Sequence, residues 1–213
     1  MNLKTIVVGP FATNCYLYWD EPSGDGIIID PGAEPDRLLD EIEASRMKLL
    51  AILLTHGHGD HIAAVKSVKE ACGVPLWVGA GEEDLLANPS ANASALYGQP
   101  IVAPPPDYTV IDEDLISLGP ISLRVLATPG HSPGGVCYLD ESQGTLFCGD
   151  TLFYGSIGRT DFPGCSHQVL IQSINDKILK LPDPVVCYPG HGPATTVGAE
   201  RNHNPFLKGD YFV

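Results

Sequence analysis

"THGHGDH", Thr55 to His61, sets three histidines and an aspartate into seven positions and parts them with two glycines. Three imidazoles in one turn-sized loop, with Asp60 among them, ask for a positive charge to hold. Gly57 and Gly59 alternate with the polar residues, and a residue without a Cβ lets the backbone turn tightly around an ion. The loop follows KLLAILLT, a continuous apolar run of strand length, as expected of a strand covered on both faces. It leads into HIAAVKSVKEACG, whose spacing predicts a helix closed by Gly73. Asp60, at the junction, serves as helix cap, as ligand, or as both on different oxygens.

Three more apolar strand candidates end in the same kind of residue. ISLRVLATPG runs into His131, GTLFCG into Asp150 and PVVCYPG into His191. In layered α/β folds, sites form beyond the carboxyl ends of strands. Together with His56, His58, Asp60 and His61, these residues exceed the needs of one four-coordinate ion. Two ions sharing a bridging carboxylate would use them all. Taken alone, His167 and His203 read as solvent or capping histidines. Asp30, in IIIDPG, reads as a turn residue or a support for a ligand. Arg159, in GRTDF, fits a substrate anion and a structural ion pair to an aspartate equally well.

Around this frame, KTIVV, NCYLYWD and GIIIDPG predict early strands, and PDRLLDEIEASR predicts a helix with Leu38, Leu39 and Ile42 at helical spacing. VPLWVG predicts a short strand, and GEEDLLANPSANASALYG a weak helix breaking into a polar loop. The Pro-rich IVAPPPDY is the best mid-chain connection. After it come GGVCYLD and the strands named above. CSHQVLIQSINDKILKLP then predicts an amphipathic helix with Val169, Leu170, Ile174, Ile178 and Leu179 on one face. Each half is thus strands plus a helix layer. PGH recurs at 129–131 and 189–191, a hint of parallel construction. One α/β domain over 1–213 is expected, in halves of roughly 1–105 and 106–213.

The 213 residues are 44% hydrophobic and 18% charged, and 26 acidic against 12 basic residues give a net charge of −14. Such a surface disfavours nucleic acid and anionic membranes. No apolar run approaches the roughly 20 residues that span a bilayer, and no signal peptide is read at the N-terminus. The six cysteines are scattered without a C-x-x-C pair, which fits small buried hydrophobes in a reducing, cytoplasmic setting.

THGHGDH followed by PGH, GDT and PGH resembles the metallo-β-lactamase superfamily. GDTLF, GRTDFPG, YPGHGPATT and NPFL further resemble its short glyoxalase II-like hydrolases. The resemblance implies an αββα sandwich of two similar halves. It implies a first ion on His56, His58 and His131, a second on Asp60, His61 and His191, and Asp150 bridging. Zinc is the first expectation for the two divalent ions, with iron or manganese also accepted. His61 directly after Asp60 is unlike the classical β-lactamases, whose second site uses a cysteine, and an imidazole at 58 in place of a carboxylate is unlike the diiron oxygen reductases. Arg159 stands where glyoxalase II proper has a glutathione-contacting lysine, and that enzyme's C-terminal helical extension has no counterpart here. The implied activity is hydrolysis of a small acyl thioester, such as S-lactoylglutathione, by a metal-bridging hydroxide with Asp60 as a catalytic residue. A persulfide dioxygenase, with one iron on His56, His131 and Asp150, is the alternative, and a lactonase the third reading. A non-enzymatic metal-binding protein would need closed coordination, which seven ligands around two ions do not provide.

Overall fold

The computed structural model describes residues 1–208. Six strands form the first sheet in chain order: β1 (Asn2–Val8), β2 (Thr13–Trp19), β3 (Asp25–Ile29), β4 (Lys48–Leu53), β5 (Leu76–Gly79) and β6 (Tyr108–Val110). The pairs β3–β4, β4–β5 and β5–β6 run parallel. The second sheet is built from β7 (Leu115–Leu118), β8 (Ile121–Ala127), β9 (Val136–Asp140), β10 (Thr145–Gly149), β13 (Val186–Pro189) and β14 (Thr195–Thr196), in the order β14-β13-β10-β9-β8-β7. A small hairpin, β11 (Leu152–Phe153) with β12 (Ser156–Ile157), stands apart from both. The helices are α1 (Pro35–Ala44), α2 (Gly59–Ile62), α3 (Val65–Cys72), α4 (Glu83–Ala87), α5 (His167–Ser173) and α6 (Val197–His203).

Three buried clusters fix the layer order. Leu38 and Ile42 of α1 and Val65 and Val68 of α3 pack with Ile28, Leu49, Ile52 and Leu76 on the outer face of the first sheet. Ile27, Ile29, Ala51 and Leu53 meet Leu123, Val125, Tyr138 and Phe147 between the sheets. Cys148, Cys187 and Leu146 meet Leu170, Ile174, Ile178 and Val197 on the outer face of the second. The result is helix, sheet, sheet, helix. β4 shows why its sequence is apolar after Lys48: Leu49 and Ile52 face the helices while Ala51 and Leu53 face the other sheet. Each such side chain contributes roughly 1.5–3 kcal/mol on full burial.

Several elements differ from expectation. Tyr108–Val110 lies past the Pro-rich stretch yet pairs with β5, so the first sheet extends beyond residue 105. The helix expected from His61 to Gly73 is two pieces, because the Ala64 N–H donates to Pro31 O at 3.0 Å and not to its own helix. The weak helix is a five-residue α4 and a 3₁₀ turn, Ser94–Tyr97. The amphipathic helix widens into a π turn over Ile174–Ile178. Leu170, Ile174 and Ile178 recur every fourth residue and bury, while Val169, on the first turn, remains 40% exposed. Ser166 caps α5, accepting the Val169 N–H.

All six cysteines are free thiols; Cys15, Cys137, Cys148 and Cys187 are buried, and Cys72 and Cys165 half-buried. Among the described residues, no helix is long and apolar enough to cross a membrane.

Candidate metal centre

The site collects at the carboxyl ends of strands from both sheets. β4 delivers His56, His58, Asp60 and His61; β8 leads to His131, β10 to Asp150 and β13 to His191. Ligand atoms of His56, His58 and His131 lie within 4.8 Å of one another, as do those of Asp60, His61 and His191. Asp150 reaches both groups: Oδ2 is 3.5 Å from His131 Nε2 and 3.5 Å from His191 Nε2, and Oδ1 is 3.4 Å from His61 Nε2. All seven residues singled out in the sequence therefore converge. A third grouping, Asp30 with His56 and His61, also falls within 4.8 Å. Its carboxylate oxygens are already engaged by the Thr55 N–H at 2.8 Å, the Thr55 hydroxyl at 2.6 Å and His61 Nδ1 at 3.0 Å. Asp30 is thus a support for His61, as one reading of IIIDPG had it. It sits at φ 51°, in the left-handed region that Asp tolerates better than most residues.

The glycines of the loop have a different reason from tight turning. Neither Gly57 nor Gly59 has positive φ. A Cβ on Gly57 would come within 2.7 Å of Leu85 Cβ, and one on Gly59 within 2.7 Å of Ser94 Cβ. The segment around α4 and the 3₁₀ turn packs so closely over the loop that only glycine fits.

Hydrogen bonds fix which ring nitrogens face the centre. His131 Nδ1 lies 2.8 Å from the carbonyl of Arg159, and His191 Nδ1 3.1 Å from that of Phe11. A carbonyl only accepts, so each Nδ1 carries a hydrogen and each Nε2 is the nitrogen turned to the centre, a lone pair in the neutral ring. The Thr55 hydroxyl gives its hydrogen to Asp30 and so accepts from His56 Nδ1, 3.1 Å away, which frees His56 Nε2. His61 Nδ1 donates to Asp30, freeing its Nε2. His58 alone presents Nδ1, 2.9 Å from His131 Nε2, while His56 Nε2 stands 3.3 Å from the same atom.

This arrangement fits metal ions. His61 Nε2 and Asp150 Oδ1 are buried without a hydrogen-bond partner, which is costly unless a cation satisfies both. Burial, with the neighbouring imidazoles, pushes His56 well below its ordinary range and His58 down to about 3, so both rings are neutral donors at pH 7. At the other group, burial works against charge, but the carboxylates outweigh it. Asp60 and Asp150 raise His61 well above its usual value, and Asp150 and Asp60 lift His191 to about 9. For Asp60, burial raises the carboxyl pKa, yet His61 and His191 bring it down to about 2. The centre holds two carboxylates ready for positive charge.

A cavity of about 420 Å³ opens onto His58, Asp60, His131, Asp150 and His191. Phe11, Tyr97, Ile101, Phe153 and Phe162 supply apolar walls. Arg159 lines it too, its guanidinium 4.0 Å from the centre of the Phe162 ring and paired through Nε and Nη2 with Asp161 at 2.7 and 2.8 Å. The ion pair read as one of two options for Arg159 is present, at the rim of the cavity. His167 and His203 are exposed and outside the cluster.

Residues 8–191 match the family model described as metallo-beta-lactamase superfamily. The chain belongs to that superfamily. Within the metallo-β-lactamase superfamily it is 40% identical over 210 residues to the hydroxyacylglutathione hydrolase GloC of Haemophilus influenzae, covering 97% of this chain and 98% of that one. It superposes on the crystal structure of the BLEG-1 B3 metallo-beta-lactamase with a TM-score of 0.94 at 41% identity, covering 98% of this chain and 100% of that one. On TTHA1623, whose crystal structure is of a di-iron-bound form, the TM-score is 0.85 at 38% identity, over 96% of this chain and 100% of that one. The αββα architecture of the superfamily is the one described above.

Metal content separates cluster from periphery. His191→Ala is expected to leave about one ion per chain in elemental analysis, whereas His167→Ala and His203→Ala keep the wild-type content. Metal loss in either control would overturn the ligand assignment.

Proposed function

We propose that this chain is a dinuclear metal-dependent hydrolase of small acyl thioesters, of the glyoxalase II kind. His56 Nε2, His58 Nδ1 and His131 Nε2 would hold one ion, Asp60, His61 Nε2 and His191 Nε2 the other, and Asp150 would bridge. When bound, the ions supply a nucleophile at neutral pH by acidifying water, and they polarise the carbonyl under attack. The chain's own residues do the rest. Asp60, with its pKa near 2, is ionised at pH 7 and too weak a base to take a proton outright. Its role is to orient: Oδ2 accepts from the Thr13 hydroxyl at 3.1 Å, which fixes the carboxylate at the mouth of the cavity. The apolar walls exclude bulk water from the acyl group, and Arg159 stands at the rim where the thiol part would lie.

The observation that carries the thioester reading is the acid inventory of the cavity. Asp60 and Asp150 are the only carboxyl groups among its described lining residues, and both belong to the candidate ligand set. No spare carboxylic acid is placed to protonate a leaving group. A thiolate, with a pKa near 8.5, departs without one. The 40% identity to a hydroxyacylglutathione hydrolase supports the same substrate class. An iron dioxygenase on His56, His131 and Asp150 would use three residues that do converge here, but would leave Asp60, His61 and His191 without a task.

Oxygen separates the two. Assayed on one preparation with S-lactoylglutathione, iron- and zinc-loaded forms are expected to cleave the thioester equally well under air and argon. Oxygen uptake with glutathione persulfide on the iron form, together with negligible thioester cleavage on either form, would replace the hydrolase with the dioxygenase.

A further inference from the structure

Glu82 is fully buried, one residue before α4, in a run of three consecutive acids. No Lys or Arg pairs with it among the described residues, and it does not line the cavity. Its carboxylate instead accepts two backbone hydrogens from different loops. Oε2 takes the Gly57 N–H at 2.7 Å, and Oε1 takes the Gly134 N–H at 2.6 Å. Gly57 lies between His56 and His58. Gly134 lies three residues after His131.

A carboxylate is an expensive way to satisfy two amide hydrogens in a protein interior, because its desolvation is not repaid by a counter-ion. What it provides is two strong acceptors on one rigid plane. Here that plane joins the loop of two imidazoles to the loop of the third. The approach is tight: a Cβ on Gly57 would lie 3.2 Å from Glu82 Oε2, and one on Gly134 3.0 Å from the Glu82 nitrogen. Nothing else among the described hydrogen bonds links Gly57 to the His131 loop.

We infer that Glu82 is a positioning residue for the His56, His58 and His131 group, a carboxylate clamp that sets the gap between the two loops bearing them. It touches neither ion nor substrate and acts through the backbone of Gly57 and Gly134. The inference rests on the metal-centre reading above.

Glu82→Gln keeps the shape but turns one acceptor into an NH₂ group facing an N–H. Glu82→Asp keeps both oxygens on a shorter arm. Residues that support metal ligands typically cost 10–100-fold in metal affinity when changed. Metal-free protein is titrated with Co²⁺ alone against a competing chelator, with the cobalt absorption spectrum recorded at each step and the melting temperature of the metal-free form measured separately. Glu82→Gln is expected to weaken one of the two binding phases by roughly 10–100-fold and to alter its spectrum. The other phase should stay within about threefold, and the metal-free protein should still melt cooperatively. Glu82→Asp should recover part of the lost affinity.

Wild-type affinity and spectrum in a folded Glu82→Gln protein would overturn the inference. So would equal weakening of both phases, or a failure of both variants to fold without metal, since Glu82 would then serve the fold at large. Should wild-type protein itself bind no cobalt, the metal-centre reading fails first, and that outcome is distinct from all of these.

Discussion

Asp150→Ala is expected to empty the centre. The side chain is almost fully buried, and its two oxygens face His61, His131 and His191 at 3.4–3.5 Å. Burial raises its carboxyl pKa, but His61 and His191 pull it well below the ordinary range, so it is an anion at any working pH. Among the candidate ligands it is the carboxylate whose oxygens approach histidines of both groups. Removing one partner of a buried charge pair costs roughly 3–5 kcal/mol. At 1.4 kcal/mol per decade, that is on the order of 10²–10⁴-fold in affinity. Both ions should fall together in elemental analysis, and turnover with them, more than for any single histidine replacement. Two ions retained with near-normal turnover would show that Asp150 does not bridge.

The second large effect is expected from Asp30→Asn, which leaves every candidate ligand in place. Asn tolerates the left-handed backbone at φ 51°, so the turn survives. The amide has one acceptor oxygen where the carboxylate had two. Thr55 donates to both Asp30 oxygens, and His61 Nδ1 shares Oδ2. An NH₂ group facing His61 Nδ1 drives the hydrogen of that ring onto Nε2, the atom aimed at the second group. A ligand in the wrong tautomer binds poorly, and about one ion per chain should be lost at limiting metal, with affinity down roughly 10–100-fold. Nitrogen-15 NMR of the imidazoles would show the exchange of tautomer directly. An unchanged His61 spectrum with full metal content would remove Asp30 from the support of the centre.

How far the sequence could be read depends on whether the deciding contacts are local. The ligand loop is contiguous, and each remaining site residue ends an apolar run. His131, Asp150 and His191 could thus be picked out without knowing which strands are neighbours. That a helix layer flanks a strand covered on both faces was legible for the same reason, since β4 is apolar on both faces and α1 on one; the order of the four layers came only with the family resemblance. Tyr108–Val110 was not legible as a first-sheet strand, because three residues carry no periodicity and its partners in β5 lie 31 residues earlier. The break between α2 and α3 is made by Pro31, remote in sequence, through the Ala64 N–H. Val169 and Leu170 are equally apolar, and only the docking of α5 decides that Leu170 buries. Glu82 is the sharpest case. Glu82, Glu83 and Asp84 look alike in sequence, yet only the first turns inward, selected by backbone hydrogens of two loops that a sequence cannot bring together.

The division of the candidate ligands between the sheets has a thermodynamic consequence. Each three-residue group takes two members from the loop after β4 and one from the second sheet. Asn14 Nδ2 and the Tyr16 hydroxyl of β2 grip the carbonyls around His191, at Pro189 and Gly192. Each ion, held as proposed, would be a reversible cross-link between the two sheets. Its contribution to stability is set by supply: a free concentration 1,000 times the dissociation constant adds about 4.1 kcal/mol per site, and metal starvation withdraws all of it. The lifetime of the folded chain would thereby be tied to the metal status of its surroundings, and resistance to proteolysis is expected to become a readout of site occupancy that needs no substrate.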